Sequence, residues 1–330
     1  MDLSTTYLGF TLPHPIVPGA SPLADEIDSV RRLEDAGAPA VVLRSLFEEQ
    51  ITREAMAEHA HLDRHADSFA EAASYFPGPE SFVLRSEHYL EHLRLVKAAV
   101  AVPVIASLNG TTPGGWLGYA HLMEQAGADA LELNMYHIAT DFAMTSGDLE
   151  RQMIEVIREV KRSVRIPVAV KLSPFFTSLA HVAWQIDQTG ADGLVLFNRF
   201  YQPDIDVTEL TAERTLHLSD SSELLPRLHW MAILSGRIRA SLAVTGGVHT
   251  AIDVVKATMA GAQSTQMVSA LLRHGPDHLR RVLEDLRVWM REREWESLAD
   301  MRGNMSLARV PDAEVYERVN YMLMLQGGSY

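Results

Sequence analysis

The sequence predicts an α/β protein folded as a (β/α)8 TIM barrel, with long insertions after its second and sixth strands. Three observations lead there. A helical stretch ending in Gly-Ala runs into a compact apolar segment four times, two further apolar segments open on proline, and a polar residue follows nearly every one. Short apolar runs bounded by turn residues read as strands buried on both faces, as in parallel sheets. Strands alternating with helices imply a parallel sheet, and about eight such units suggest closure, which hides every sheet edge. An open, doubly wound sheet is the competing arrangement, and the strand count favours the barrel.

Taken in order, the first strand is Pro15-Ile16-Val17, and the second, Ala40-Val41-Val42-Leu43, follows Ala36-Gly37-Ala38. The third and fifth open on proline, a residue tolerated at a strand's first position: Pro103-Val104-Ile105-Ala106 and Pro167-Val168-Ala169-Val170. Ala126-Gly127-Ala128 precedes the fourth (Ala130-Leu131-Glu132-Leu133), and Thr189-Gly190-Ala191 the sixth (Gly193-Leu194-Val195-Leu196-Phe197). Ser241-Leu242-Ala243-Val244 is the seventh; Ala260-Gly261-Ala262 leads into the eighth, Thr265-Gln266-Met267-Val268. Each glycine suits the left-handed position that closes a helix. Between strands, Leu149, Met153, Val156, Ile157 and Val160 have helical spacing. The long connections run from Ser45 to Val100 and from Arg199 to Ala240, and the first carries Tyr75-Phe76-Pro77-Gly78-Pro79, a turn-rich segment suited to cover the mouth. Residues 1–303 form the barrel. Residues 304–330 form a tail whose apolar patch, Tyr321-Met322-Leu323-Met324-Leu325, suits packing on the barrel or a partner subunit.

The totals exclude several chemistries. The chain has 330 residues, no cysteine and a formal net charge of −14. Disulfides, thiolate metal sites, cysteine-ligated clusters and thiol catalysis are ruled out, and no metal site is expected. The acidic balance argues against a nucleic-acid surface. No run approaches the ~20 apolar residues of a membrane helix, and the first residues lack a secretory pattern. A cytoplasmic protein acting on a small molecule is the expectation.

Active sites of such barrels lie at the carboxyl ends of the strands. In order, those ends offer Ala20 and Ser21; Arg44 and Ser45; Ser107 and Asn109; Asn134; Lys171; Asn198; Thr245-Gly246-Gly247; and Ser269. An unpaired polar group buried there costs ~1–3 kcal/mol, so so many in register mark a site. Gly246-Gly247 allows close backbone approach to an anion, and with Ser269 it occupies the loops that usually hold phosphate in this fold. Lys171 has three readings: pairing with a carboxylate such as Glu132, forming a Schiff base, or donating to the N1–C2=O edge of a flavin.

These residues resemble the dihydroorotate dehydrogenase family, chiefly its soluble branch, from about His14 to Gly303. His14-Pro15-Ile16-Val17-Pro18-Gly19-Ala20-Ser21 is similar to its Asn-Pro-…-Ala-Ser-Gly opening, Arg44-Ser45 to its Lys-Ser, and Leu133-Asn134 to the start of Leu-Asn-x-Ser-Cys-Pro-Asn. Val170-Lys171-Leu172 matches Val-Lys-Leu, Asn198 the substrate-side asparagine, Thr245-Gly246-Gly247-Val248 its Thr-Gly-Gly-Ile, and Val268-Ser269-Ala270-Leu271 its Gly-Thr-Ala-Leu. Ser297-Leu298-Ala299-Asp300-Met301-Arg302-Gly303 resembles Ser-Ile-Ala-Asp-Phe-x-Gly.

The resemblance implies an FMN-dependent dehydrogenase of pyrimidine biosynthesis, dimeric like its soluble relatives, that passes hydride from a CH–CH substrate to flavin N5. It places FMN against Ala20, Ser21, Arg44, Ser45, Asn109, Asn134, Lys171, Gly246, Gly247 and Ser269, and substrate against Arg44, Asn134 and Asn198. The departures fall on the substrate side. Tyr136-His137-Ile138-Ala139 replaces Ser-Cys-Pro-Asn, so His137 takes the position of the family's base, with Tyr136 beside it, and Ala139 loses an asparagine. The family's Asn-Ser-x-Gly-Leu-Pro-Asn loop has no clear counterpart near Ala73-Ser74-Tyr75-Phe76-Pro77-Gly78. His137 is read as a general base, or else as a polar surface residue. Three functions follow: oxidation of dihydroorotate or a related carboxylate; a phosphate-binding lyase using Lys171 as Schiff base; and a flavin-binding protein without dehydrogenase activity.

Overall fold

A computed structural model describes residues 1–48, 86–110, 112–199, 203–213 and 216–327. The turn-rich segment at Tyr75 and the stretch at Ala73 lie outside the described residues.

The chain begins with a hairpin absent from the sequence reading: β1 (Thr5–Tyr7) pairs antiparallel with β2 (Phe10–Leu12). Leu8 and Gly9 make the turn with φ of 51° and 83°, the two positive angles of a type I′ hairpin. Eight strands then follow: β3 (Ile16–Pro18), β4 (Val41–Phe47), β5 (Val104–Asn109), β6 (Ala130–Met135), β7 (Val168–Leu172), β8 (Gly193–Leu196), β11 (Ser241–Thr245) and β12 (Ser264–Met267). They pair in parallel in the order β3-β12-β11-β8-β7-β6-β5-β4, and the ends of that order, β3 and β4, lie close together. This is the nearly closed (β/α)8 barrel that the periodicity predicts. The two remaining strands, β9 (Asp204–Asp206) and β10 (Thr211–Glu213), form a small exposed hairpin in the insertion after the sixth barrel strand.

The Gly-Ala repeats do what their chemistry suggests. Gly37, Gly127, Gly190 and Gly261 have φ of 102°, 96°, 87° and 123° just past their helices. The helix Ser146–Ser163 starts from a Thr145 cap and buries Ile154, Ile157 and Val160 against the sheet. One correction concerns the second strand. It does not end at Leu43 but runs on to Phe47, with a register irregularity between Val42 and Ser45.

Inside the barrel, Val17, Val42, Ile105, Ala130, Ala169, Val195 and Ala243 form a compact apolar layer, floored by Tyr7, Leu8 and Leu12 of the hairpin. The floor is latched. Thr5 Oγ1 donates to Gln263 O at 2.8 Å and accepts from Arg302 Nη2 at 2.9 Å. Residues 304–316 pack along the barrel helices through Met305 N to Met259 O and Leu307 N to Ala232 O, both backbone bonds. The last helix, Arg318–Gly327, leaves Tyr321, Met324 and Leu325 exposed.

His14 braces the start of β3. Its Nδ1 accepts from Ile16 N and its Nε2 donates to Gly37 O at 2.7 Å. Burial lowers its pKa from 6.5 to about 4. The unfolded chain therefore binds an extra proton between these values, so stability falls as pH drops through that window and is level above it. Urea denaturation of the wild type is expected to lose about 2 kcal/mol more between pH 7 and pH 5 than His14→Gln does. Parallel profiles for the two would remove His14 from the acid response.

Candidate active site

The carboxyl ends of β4 to β8 carry a hydrogen-bonded cluster. The register irregularity in β4 turns Ser45 toward its β5 partner Ser107, and their hydroxyls lie 2.7 Å apart. Asn134, at the end of β6, donates through Nδ2 to Ser45 Oγ at 3.1 Å, while Asn109 Nδ2 donates to Asn134 O at 2.7 Å. Asn134 Oδ1 is buried and accepts no hydrogen bond among the described residues. Such orphans are rare in folded interiors and mark a place for an outside donor.

Lys171 stands in register with Asn134 on the neighbouring strand β7. Its Nζ donates to Glu132 Oε1 at 3.2 Å, with side chains only 10% and 1% exposed. Glu132 Oε2 accepts from Gln266 Nε2 at 2.6 Å. Of the three readings of Lys171, the pairing with Glu132 is the one observed. Asn198 caps the same wall: its N–H donates to Leu172 O at 2.7 Å and its Nδ2 to Lys171 O at 3.3 Å.

The loops after the seventh and eighth barrel strands meet around Ser219. Gly246 and Gly247 have φ of 87° and 80°. Packing behind the loop requires both glycines: a Cβ on Gly247 would stand 2.4 Å from Leu224 N, and one on Gly246 2.6 Å from Arg227 Nη2. Arg227 is buried and donates to Thr245 O at 2.5 Å and to Glu223 O, which pins the loop from beneath. Ser219 donates its N–H to Ser269 Oγ at 3.1 Å, and its Oγ accepts from Gly247 N at 3.4 Å. His249 Nε2 lies 3.2 Å from the same hydroxyl.

The sequence-selected residues thus divide. Ser45, Asn109, Asn134, Lys171 and Asn198 converge, as do Gly246, Gly247 and Ser269. Ala20 is half-buried and Ser21 buried, preceding the short turn Pro22–Ala24. Arg44 is held by Asp25, Nη1 to Oδ2 at 2.7 Å. Tyr136 is half-buried at the end of β6, but His137 is exposed and makes no hydrogen bond among the described residues. Gln266, Ser219 and Arg227 were not selected. Gln266 lies inside an apolar run, where a polar side chain is itself a usable signal. Ser219 and Arg227 sit in the long insertion, where no periodicity marks them.

An ammonium, three carboxamides and an orphaned acceptor suit the polar edge of a flat heterocycle with a carboxylate beside it. A loop with two left-handed glycines and nearby hydroxyls suits a phosphate. These donor sets fit FMN. Among the described residues no cluster of histidines and carboxylates could hold a metal ion, and no helix is long and apolar enough to cross a membrane.

The family described as dihydroorotate dehydrogenase matches residues 83–290. A protein of Aeropyrum pernix described as a dihydroorotate dehydrogenase A (fumarate) is 32% identical, across 62% of this chain and 67% of its own length. The catalytic subunit of a dihydroorotate dehydrogenase B (NAD(+)) from Thermoplasma volcanium is 25% identical, across 92% of this chain and 98% of its own. The NAD-dependent dihydropyrimidine dehydrogenase subunit PreA of Escherichia coli K12 is 25% identical, across 97% of this chain and 82% of its own.

Proposed function

The chain belongs to the dihydroorotate dehydrogenase family, and on that premise we propose that it is an FMN-dependent oxidoreductase acting on dihydroorotate or a related carboxylated CH–CH compound. The observation that carries the reading is the group of buried Asn109, Asn134 and Lys171 with half-buried Ser45, and its orphaned Asn134 Oδ1. Membership of the family makes the protein an oxidoreductase of that type; the cofactor and the substrate are the proposed part.

When bound, FMN supplies a two-electron acceptor. Ala20, Ser21, Ser45, Asn109 and Lys171 would hold its ring, and Gly246, Gly247 and Ser269 its phosphate. Lys171 would supply a positive charge beside the ring, the kind of fixed electrostatic support that lowers a barrier without reorganisation. Asn134 and Asn198 orient the substrate, while Arg44, paired with Asp25, lies beside this group on β4. His137 takes the substrate proton from its exposed position on the rim, with Tyr136 beside it. The apolar last helix supports a homodimer as the working form.

One alternative has an observation behind it. With His137 exposed and Ala139 where the family has an amide, the chain reads also as a flavin-binding protein without dehydrogenase activity. A Schiff base at Lys171 is disfavoured, because its Nζ is held by Glu132 and would have to leave that partner to attack a carbonyl. A visible spectrum followed by anaerobic dihydroorotate addition tests the set. A flavin band that bleaches on addition is expected. Absence of the band removes the cofactor, and a band that never bleaches removes this substrate.

A further inference from the structure

Apolar side chains fill a barrel lumen at least cost, and a carboxylate placed there needs well-aligned partners. Above the alanine–valine layer this lumen turns polar. Glu132 on β6 and Gln266 on β12, each 1% exposed, meet through the 2.6 Å bond from Nε2 to Oε2. In the strand order these two strands stand four apart whichever way the barrel is followed, so the bond spans the lumen. From below, Tyr7 approaches the pair. Burial, with the Glu132 charge adding to it, pushes the Tyr7 phenol well above its ordinary range. Glu132 therefore stands in a dry environment between a neutral donor on the far wall and a cation on its own side.

The two carboxylate oxygens have different tasks. Oε2 takes the short bond from Gln266, and Oε1 takes the longer one, 3.2 Å, from Lys171. An ammonium has three hydrogens, and Glu132 engages the only one of Lys171 that is bonded among the described residues. The others are open to a ligand. Hydrogen bonds to one acceptor compete, and in a low dielectric that competition is amplified. The stronger the hold of Gln266 on the carboxylate, the less of the Lys171 charge the carboxylate neutralises.

We propose that Glu132, clamped across the lumen by Gln266, is a positioning residue that sets how much of the Lys171 charge reaches a flavin at the strand ends, and so tunes that flavin's electron affinity. This rests on the FMN reading above. Removing the carboxylate leaves the ammonium uncompensated and makes the flavin a better acceptor. Removing the clamp frees the carboxylate to neutralise Lys171 more fully and makes it a poorer one. Two changes to one hydrogen-bonded pair thus act in opposite directions, which loss of structural support does not do.

The test is sulfite titration of the FMN-loaded protein, since sulfite adds to oxidised flavin more tightly as nearby positive charge increases. Glu132→Gln is expected to lower the sulfite Kd by about tenfold. Gln266→Leu is expected to raise it several-fold, and thermal melts of both apoproteins report folding independently. Should Glu132→Gln fail to fold, Gln266→Leu decides alone by its direction. Shifts of the same sign, or Kd values within about twofold of the wild type, well under 1 kcal/mol, overturn the proposal while leaving FMN in place. A wild-type chain that takes up no FMN overturns the flavin reading and this inference with it.

Discussion

Replacing Lys171 with Met is expected to cost about 3–5 kcal/mol of folding stability and to abolish substrate-driven reduction. Both effects come from one pair. Glu132 is 1% exposed and its carboxylate has two partners, Lys171 and Gln266. Deleting the cation strands a charge in the lumen. The double variant Lys171→Met/Glu132→Gln removes that charge and is expected to recover most of the lost stability, because Gln can still accept from Gln266. Turnover does not return with it, since the cation at the strand ends is gone. Urea denaturation reads the first outcome and anaerobic stopped-flow reduction the second. A single variant as stable as the wild type would show that the pair is not desolvated. A double variant that still turns over would take Lys171 out of the chemistry.

The second large effect is expected at Gly247. Alanine there must adopt φ near 80° and place a Cβ 2.4 Å from Leu224 N. The left-handed angle alone costs about 1–2 kcal/mol, and the close approach forces the loop away from the segment beneath it. That displacement moves the Gly247 N–H away from Ser219, and with it the loop that faces Ser269. FMN affinity should fall by tenfold for each ~1.4 kcal/mol of binding lost, whereas riboflavin, which lacks the phosphate, should bind much as before. Fluorescence titration with the two ligands gives the comparison. If Gly247→Ala leaves the advantage of FMN over riboflavin intact, the phosphate lies elsewhere.

What could be read from the sequence was whatever is local. The Gly-Ala endings specify backbone angles, and Gly37, Gly127, Gly190 and Gly261 adopt them. The apolar runs specify burial on both faces, and all eight became barrel strands. Because strand ends are fixed by those runs, Asn134, Lys171 and Asn198 lie where the runs stop. What stayed hidden depends on tertiary contacts. The irregularity in β4 separates Arg44, engaged by Asp25, from Ser45, facing Ser107; a two-residue reading treats them as one unit. The hairpin is not legible in the sequence because Leu8-Gly9 lacks the asparagine or aspartate that usually marks such a turn. Gln266 looks like an interruption of an apolar strand until Glu132 is seen opposite. Ser219 reaches Ser269 over 50 residues of chain, and no periodicity carries that information.

The latched floor has a consequence for how the chain acquires its shape. Thr5 finds its partners 258 and 297 residues away, at Gln263 and Arg302. During synthesis the hairpin emerges before the barrel strands and is seated after them, since its partners Gln263 and Arg302 lie at and beyond the eighth strand. Closure therefore has a high contact order, slow by its topology. Until Gln263 and Arg302 have been made, Tyr7, Leu8 and Leu12 have no complete lumen to close, so the latching of the floor waits on Arg302.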